Sequence, residues 1–248
     1  MNEYKKNIRF LIDNLEQFFD FKSIIVYIAK KRKIIELLKL NLTGYELFGE
    51  FRGSVKYNRK YNIMSPIIYS KGMHLINNIT KKYETNHCKY KEKQLTIIRN
   101  VLGKRNVIGL HWIHTYPELI LELLEEMNEI YAEFIYSLKN NRNKEKSKNL
   151  LSKLYWLYMQ ACPFRRGSAS IGEIIFSALL QKYFDCDFKL FKERFSPQII
   201  PDIHALTYPL EHFQSIFWDQ FVSCENYKNN FSRNSNWNNY MNKRNHNL

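Results

Sequence analysis

The sequence predicts a mainly α-helical protein with a small β-hairpin lobe. Apolar residues recur at helical spacing in five segments, at residues 8–18, 24–40, 120–138, 150–158 and 171–179. The stretch from Gly44 to Pro66 is different, because it combines Gly, Asn and aromatic residues with the alternating Val55, Tyr57 and Tyr61. We therefore expect this stretch to form the hairpin and the five apolar segments to form helices.

The chain is long enough for one sizeable domain. With 248 residues, of which 45% are hydrophobic, it can bury roughly 75% of the surface of the unfolded chain. We expect N-terminal helices over residues 1–43, a main domain over residues 44–224 and an Asn-rich tail over residues 225–248. The tail has little apolar surface to bury, so it should be disordered.

Two amphipathic helices are expected in the N-terminal segment. The apolar face of the first comprises Ile8, Leu11, Leu15 and Phe18. The second spans Ile24 to Leu40 and is interrupted by a basic run at residues 30–33. That run could contact phosphate or lipid, but four basic residues between apolar segments are more often a solvated face, which is the interpretation we favour.

The best-defined helix should begin near Thr115. Thr115 and Glu118 have the spacing of a capping box, and Pro117 occupies the first turn, where proline is tolerated. The residues that follow form one apolar face, which comprises Ile120, Leu123, Met127, Ile130, Phe134 and Leu138. A polar linker from Asn140 to Lys148 then leads into the next helix.

The most informative stretch runs from Cys162 to Ser170 and joins two predicted helices. Pro163 should end the first helix, and Ser170 should cap the second, because Ser170 and Glu173 form a capping box. Two arginines, a glycine and two serines thus lie at a helix N-terminus, whose N–H groups and positive dipole end attract anions. The turn therefore predicts a phosphate site, although solvated arginines and a simple helix cap remain the alternative.

Composition limits the possible partners only weakly. A net charge of +14 favours acidic partners such as nucleic acid, anionic lipid or phosphorylated ligands. Much of this charge is scattered lysine in an Asn-, Ile-, Lys- and Tyr-rich chain, which indicates compositional bias as much as selected electrostatics. In the tail, Phe231, Trp237 and Tyr240 lie among basic residues and could stack on single-stranded nucleic acid. We favour the interpretation that this pattern reflects the low-complexity composition of the tail and not a binding site.

Other motifs exclude several classes of function. The chain has no Walker A sequence, no G-x-G-x-x-G and no nucleophile elbow. His111 and His114 are spaced by one helical turn, but no further His or Cys ligand is near them in sequence, so we predict no metal site.

No apolar run is long enough for a secretory leader or a membrane span, and Asn2 is not the glycine that N-myristoylation requires. We expect a soluble protein.

The cysteines predict free thiols. Cys88, Cys162, Cys186 and Cys224 are widely spaced and form no C-x-x-C pair. A reducing compartment is therefore the default expectation.

Three segments carry a resemblance to a known family. The run from Leu154 to Ala169 resembles the signature turn of the AvrB family of bacterial type III effectors, in which a Trp-bearing helix enters a Pro-x-x-Arg-Gly-Ser-Ala turn and then an Ala-rich helix. Residues 47–50 with the strand-like 55–57, and residues 201–206, resemble the family's Leu-Phe-Gly-Asp, Val-Lys-Val-Tyr and Ser-Asp-Ile-Glu-Ala-Met segments in the same order. The resemblance covers about Tyr45 to Phe221.

What the resemblance implies is a Fido fold, which is the mainly helical scaffold that AvrB-like proteins share with Fic enzymes. Fic enzymes hold a nucleotide at the turn between two core helices, and several transfer AMP. This chain departs from the Fic motif His-Pro-Phe-x-x-Gly-Asn-Gly-Arg, because Cys162 stands at the His position, Ser168 and Ala169 replace Asn-Gly, and Ser170 replaces the final Arg. AMP transfer is therefore not expected, and the resemblance implies instead a nucleotide-sugar-dependent transfer of a deoxyhexose to Thr or Ser of a host protein.

The resemblance also suggests roles for individual residues. Arg166, Gly167, Ser168 and Ser170 would bind the diphosphate of a nucleotide sugar or nucleoside diphosphate. Asp202 would orient or deprotonate the acceptor hydroxyl, and His111, with His114 as the fallback, would bind donor or acceptor. We expect a monomeric virulence effector that is secreted without a signal peptide and acts on a host protein in the host cytoplasm. One alternative is a non-catalytic effector that binds a host protein through the pocket at this turn. A less favoured alternative is a basic nucleic-acid-binding protein.

Overall fold

A computed structural model describes residues 3–29, 63–64, 86–102, 108–139, 144–164, 167–189 and 201–224. This part of the chain is mainly helical, as the sequence predicts. The helices are α1 (Glu3–Asn14), α2 (residues 21–29), α3 (Pro117–Lys139), α4 (Lys144–Ala161), α5 (Ser168–Phe184), α6 (Pro201–Thr207) and α7 (Leu210–Ile216). The strands are β1 (Ile63–Met64), β2 (Asn86–Tyr90), β3 (Lys93–Leu102), β4 (Ile108–Ile113), β5 (Asp187–Phe188) and β6 (Val222–Ser223).

The N-terminal helices pack into the main core. The predicted apolar face is confirmed in part: Ile8 and Leu11 of α1 are buried, as is Leu15 in the 3-10 turn after it, whereas Phe18 lies beyond the helix and is half-buried. Phe21, in α2, lies 5.7 Å from the ring of Phe176 in α5, measured between ring centroids. Residues 30–50 lie outside the described residues, and with them the basic run and the expected boundary at residue 43. The described N-terminal helices therefore share one core with the helices of the predicted main domain.

The β-structure is larger than the expected hairpin. Strands β1, β4, β3 and β2 form an antiparallel sheet in that order, and only β1 comes from the stretch in which we expected strands. The rest of that stretch lies outside the described residues. His111 lies in β4, so our interpretation of His111 and His114 as one helical turn apart is wrong. His114 follows the end of this strand, so helical spacing applies to neither histidine.

Helices α4 and α5 form the centre of the fold. Almost every residue of α4 from Leu150 to Ala161 is buried, and α5 is buried around its whole circumference between Ile171 and Gln181. The two helices approach closely at Gly172, where an added Cβ would lie 2.6 Å from Cε1 of Tyr158. Helices that are apolar on all sides belong inside a protein, and these two carry the turn that the sequence singled out.

The C-terminal part returns to the end of α5. Strand β5 pairs with β6, with Asp187 opposite Ser223, and a disulfide joins the neighbouring Cys186 and Cys224. Our expectation of free thiols is therefore wrong for these two cysteines. They are 38 residues apart in sequence, and only the folded chain brings them together. Cys162 carries a free thiol.

Candidate functional site

The turn between α4 and α5 ends one helix and starts the next by backbone geometry. Helix α4 stops at Ala161, Cys162 has a left-handed φ of 42°, and Pro163 follows, so the predicted end of this helix is confirmed. Helix α5 begins at Ser168, after Gly167 in the left-handed conformation (φ 82°, ψ 0°). The predicted cap at Ser170 is therefore wrong, because the N-cap position is Gly167, three residues earlier, and Ser170 lies inside the first turn. Glycine adopts this conformation without steric cost, and this allows the helix to start directly after it.

Ser168 shapes the turn with its side chain. Its Oγ accepts a hydrogen bond from the N–H of Phe164 and donates one to the carbonyl oxygen of Phe164, both at 2.9 Å. Its own carbonyl oxygen accepts a 2.9 Å hydrogen bond from the phenol of Tyr158. Burial raises the pKa of Tyr158 well above its usual value, so the phenol remains a proton donor. Phe164 precedes and Ser168 follows Arg165 and Arg166 in sequence, and the two arginines themselves lie outside the described residues.

The start of α5 faces the turn with its N–H groups. The first hydrogen bond of the helix runs from the N–H of Ile171 to the carbonyl oxygen of Gly167 at 2.9 Å. The N–H groups of Ser168 and Ala169 precede this bond and therefore point out of the helix end. Ser170 lies in the first turn, and Ala169 is exposed. A helix of 17 residues places a partial positive charge at this point, which favours an anion.

Gln160 connects the end of α4 to the sheet and to α6. Its side chain is fully buried, with Oε1 accepting from the N–H of Thr96 at 3.1 Å and Nε2 donating to the carbonyl oxygen of Ala205 at 2.8 Å. Its main-chain oxygen accepts from Oγ1 of Thr115 at 2.7 Å. Thus β3, the segment before α3, and α6 all meet at one residue, two positions before Cys162.

The segment that carries Asp202 lies against α4. Asp202 is half-buried in the first turn of α6, and its Oδ1 accepts from the N–H of Ile203 at 3.0 Å. Three residues further along, Ala205 receives the hydrogen bond from Gln160. The indole of Trp156 adds a second link, a 2.8 Å hydrogen bond to the carbonyl oxygen of Tyr208. The structure therefore brings the Asp202 segment next to the helix that leads into the turn.

The predicted histidines lie at the end of β4. His111 pairs in register with Arg99 of β3, and its side chain lies outside the described residues. His114 is buried directly after β4, beside Thr115. Because α3 begins at Pro117, Thr115 precedes the helix by two residues, and its capping role stays a prediction. Its hydroxyl instead has an observed role, which is to bind the end of α4.

A second polar cluster holds the β2–β3 turn against the helices. The phenol of Tyr90 donates a 2.6 Å hydrogen bond to Oε1 of Glu126, and Nζ of Lys153 lies 3.8 Å from the same oxygen. Nζ of Lys91 contacts the other carboxylate oxygen of Glu126, Oε2. Burial alone would raise the pKa of Glu126, but the hydrogen bonds from Lys91 and Tyr90 and the charges of the two lysines lower it. This cluster contains none of the predicted site residues and secures the sheet.

Sequence reasoning missed Gln160 and Tyr158. The available signal was a polar amide within the otherwise buried run from Tyr155 to Ala161. A buried amide needs partners, but the sequence does not say which backbone groups they are. Within the described residues, no group of three or more His, Cys, Asp or Glu side chains could hold a metal ion, and no helix is long and apolar enough to cross a membrane.

No protein-family model matches this chain, and a search of curated proteins finds no match. The AvrB-like interpretation therefore depends on the quoted sequence motifs alone.

Proposed function

We propose that this chain is an AvrB-like glycosyltransferase of the Fido type, which transfers a deoxyhexose from a nucleotide sugar to Thr or Ser of a host protein. The observation that carries the proposal is the α4–α5 turn. It has left-handed Gly167 before a long helix, and the hydrogen bonds of Ser168 with Phe164 and Tyr158 join the two helices across the turn. Such a turn suits the diphosphate of a nucleotide.

The donor binds at the start of α5. The guanidinium of Arg166 neutralises the diphosphate in a bidentate contact that lysine does not reproduce. Gly167 lets the backbone approach the phosphate, and the N–H groups at the start of α5 add hydrogen bonds. Since the Ser168 hydroxyl already donates its proton to Phe164, Ser168 contributes its N–H to the ligand, and Ser170 lines the same helix turn.

The acceptor binds on the side of α6. The carboxylate of Asp202 takes the proton of the acceptor hydroxyl, the hydroxyl oxygen forms a bond to the anomeric carbon, and the bond from that carbon to the diphosphate oxygen breaks. The nucleoside diphosphate leaves with the electron pair. His111 binds donor or acceptor from the end of β4. The hydrogen bond from Gln160 to Ala205, close to Asp202 in α6, supports the placement of Asp202.

The same resemblance carries the proposal of a secreted virulence effector. AMP transfer is excluded from the proposal because Cys162 replaces the Fic histidine. Disulfides persist mainly in oxidising compartments, so the disulfide between Cys186 and Cys224 does not support action in the host cytoplasm, and that location rests on the resemblance alone.

The proposal is tested by the intact mass of a candidate host protein after incubation with a panel of nucleotide sugars. We expect the mass of one deoxyhexose to be added by the wild type and not by Asp202→Asn, whose neutral amide cannot accept a proton. Calorimetry with UDP, dTDP and ADP should show that Arg166→Ala loses about 1.5–3 kcal/mol of binding free energy, while Asp202→Asn binds normally.

Three outcomes would count against this assignment. Equal nucleotide affinity of the wild type and Arg166→Ala would remove the diphosphate site from the turn. If the wild type and Asp202→Asn both bind a host protein but neither adds mass, the protein is a non-catalytic effector that uses the pocket for binding. Binding to nucleic acid that weakens with salt and is lost without residues 225–248 would favour the basic nucleic-acid-binding alternative.

A further inference from the structure

We infer that Gln160 is a positioning residue for the proposed transfer, because it sets the spacing between the α4–α5 turn, which receives the donor, and α6, which bears Asp202. This inference rests on the proposed function of that turn. Gln160 reaches neither donor nor acceptor itself, since its side chain is fully buried and both ends of its amide are engaged by backbone groups.

The amide has only one orientation that satisfies its neighbours. Oε1 faces a donor, the N–H of Thr96, at 3.1 Å, and Nε2 faces an acceptor, the carbonyl oxygen of Ala205, at 2.8 Å. A flipped amide would place donor against donor and acceptor against acceptor. The side chain therefore acts as a spacer of defined length between β3 and α6.

The main chain of Gln160 is also held. Carbonyl groups in the last turn of a helix have no acceptor role within that helix, and the carbonyl oxygen of Gln160 lies in the last turn of α4. It accepts from Oγ1 of Thr115 at 2.7 Å, with Oγ1 of Thr96 at 3.5 Å. The end of α4 therefore has a defined position when the chain turns at Cys162.

The segments that meet at Gln160 are those that carry the predicted site residues. Ala205 is three residues after Asp202 on α6, and Thr115 is four residues after His111 of β4. The turn itself begins two residues after Gln160. A shift of about 1 Å between reacting groups can cost a hundredfold in rate, so a residue that sets these spacings should affect turnover more than donor binding.

Two substitutions separate positioning from simple core filling. Gln160→Met keeps the length of the side chain and removes both hydrogen bonds. Gln160→Glu keeps both in its protonated form, because a neutral carboxylic acid accepts from Thr96 and donates to Ala205. Once ionised, it faces the carbonyl oxygen of Ala205 with no proton to donate. Burial raises the pKa of such a carboxyl, so the introduced Glu should change from its protonated to its ionised form closer to the pH range in which activity is measured.

The matched control is Gln181→Met. Gln181 is also buried, near the far end of α5, and its Nε2 donates a 2.8 Å hydrogen bond to Oδ2 of Asp187, away from the turn. Among the described residues, the buried His114 and His204 are the sequence neighbours of Thr115 and Ala205, which bind Gln160. Both histidines are present in the wild type and in every variant, so the wild-type pH profile is the reference.

The experiment measures kcat and KM for the nucleotide sugar from pH 5 to 9, together with the denaturation midpoint. We expect Gln160→Met to lower kcat at least about tenfold with little change in KM. Gln160→Glu should work at low pH and lose kcat as the pH rises, in a step that the wild type and Gln181→Met do not show. If Gln160→Met does not fold, the pH profile of Gln160→Glu decides alone.

The outcomes distinguish this inference from the proposed function. If the wild type transfers sugar and Gln160→Glu follows the wild-type pH profile, Gln160 only fills the core, and the proposed function stands. The same conclusion follows if Gln160→Met keeps the wild-type kcat. If the wild type neither binds nucleotide nor transfers sugar, the proposed function fails and this inference falls with it.

Discussion

The phenol of Tyr158 donates a 2.9 Å hydrogen bond to the carbonyl oxygen of Ser168, which fastens the last turn of α4 to the first residue of α5. The hydroxyl of Ser168 also accepts a hydrogen bond from the N–H of Phe164 and donates one to its carbonyl oxygen. The two contacts close the turn from both sides. They show that Ser168, which the resemblance assigns to ligand binding, uses its hydroxyl to hold the turn together.

Removing the Tyr158 hydroxyl should loosen the turn. Tyr158→Phe loses one buried hydrogen bond, so we expect a loss of about 0.5–1.5 kcal/mol in the free energy of unfolding in urea and weaker binding of nucleoside diphosphate in calorimetry. The control is Tyr155→Phe, because the Tyr155 ring packs against Phe213 and Phe188 away from the turn. Unchanged nucleotide affinity of Tyr158→Phe would show that the hydrogen bond does not support the site.

Gly167 should tolerate asparagine better than alanine. Its φ of 82° lies in the left-handed region, so Gly167→Ala should destabilise the fold by about 1–2 kcal/mol. Asn visits this region more easily than other residues with a side chain, and Gly167→Asn should therefore lose less. Urea denaturation of the three proteins measures the difference. Equal stability of the alanine variant and the wild type would contradict the left-handed turn.

Glu126 should make part of the stability dependent on acid pH. Its pKa is lower in the folded protein than in the unfolded chain, so its contribution is present above about 4.5, the ordinary pKa of the carboxyl, and is lost as the pH falls through the folded value. Glu126→Gln removes this contribution, of about 1 kcal/mol, at neutral pH. We expect the wild type to lose more stability than Glu126→Gln between pH 7 and pH 3.

The control for this prediction is Glu122→Gln. Glu122 contacts Lys93, but its side chain is 53% exposed, and exposed ion pairs contribute little. Its stability profile between pH 7 and pH 3 should follow that of the wild type. A Glu126→Gln profile parallel to the wild type would mean that Glu126 is not held as the structure shows.

The disulfide should be detectable by alkylation and should stabilise the fold. The chain has four cysteines, and a disulfide between Cys186 and Cys224 leaves two thiols to react when the denatured protein is alkylated without reductant, against four with it. Cys224→Ser should lower the free energy of unfolding by about 2–4 kcal/mol, because it frees a loop of 38 residues. Cys162→Ser, which changes a free thiol, should leave the alkylation difference intact. Four reactive thiols without reductant would refute the disulfide.

Helix positions were predictable, whereas the sheet was not. The apolar face of α1 and the face that begins at Ile120 appear in the sequence because helical contacts are local and repeat every three to four residues. Strand β3 contains Ile97 and Ile98 side by side, which breaks the alternation by which strands are recognised. Its partner β2 is joined to it by the two-residue turn Lys91–Glu92, in which both residues have a left-handed φ (45° and 62°). Such turns are usually marked by Asn-Gly or Asp-Gly, so Lys-Glu gave no hairpin signal.

The sequence by itself determined the mainly helical class, the end of α4 before Pro163, and the concentration of arginine, glycine and serine in one turn. These features depend on neighbouring residues, since periodicity, proline and glycine act on the local backbone. Only the tertiary structure decided that Gln160 joins β3 to α6, that Tyr158 binds Ser168, and that Cys186 meets Cys224. These contacts join residues whose separation in sequence ranges from 10 to 64, so they form only when the packed helices bring their partners within reach.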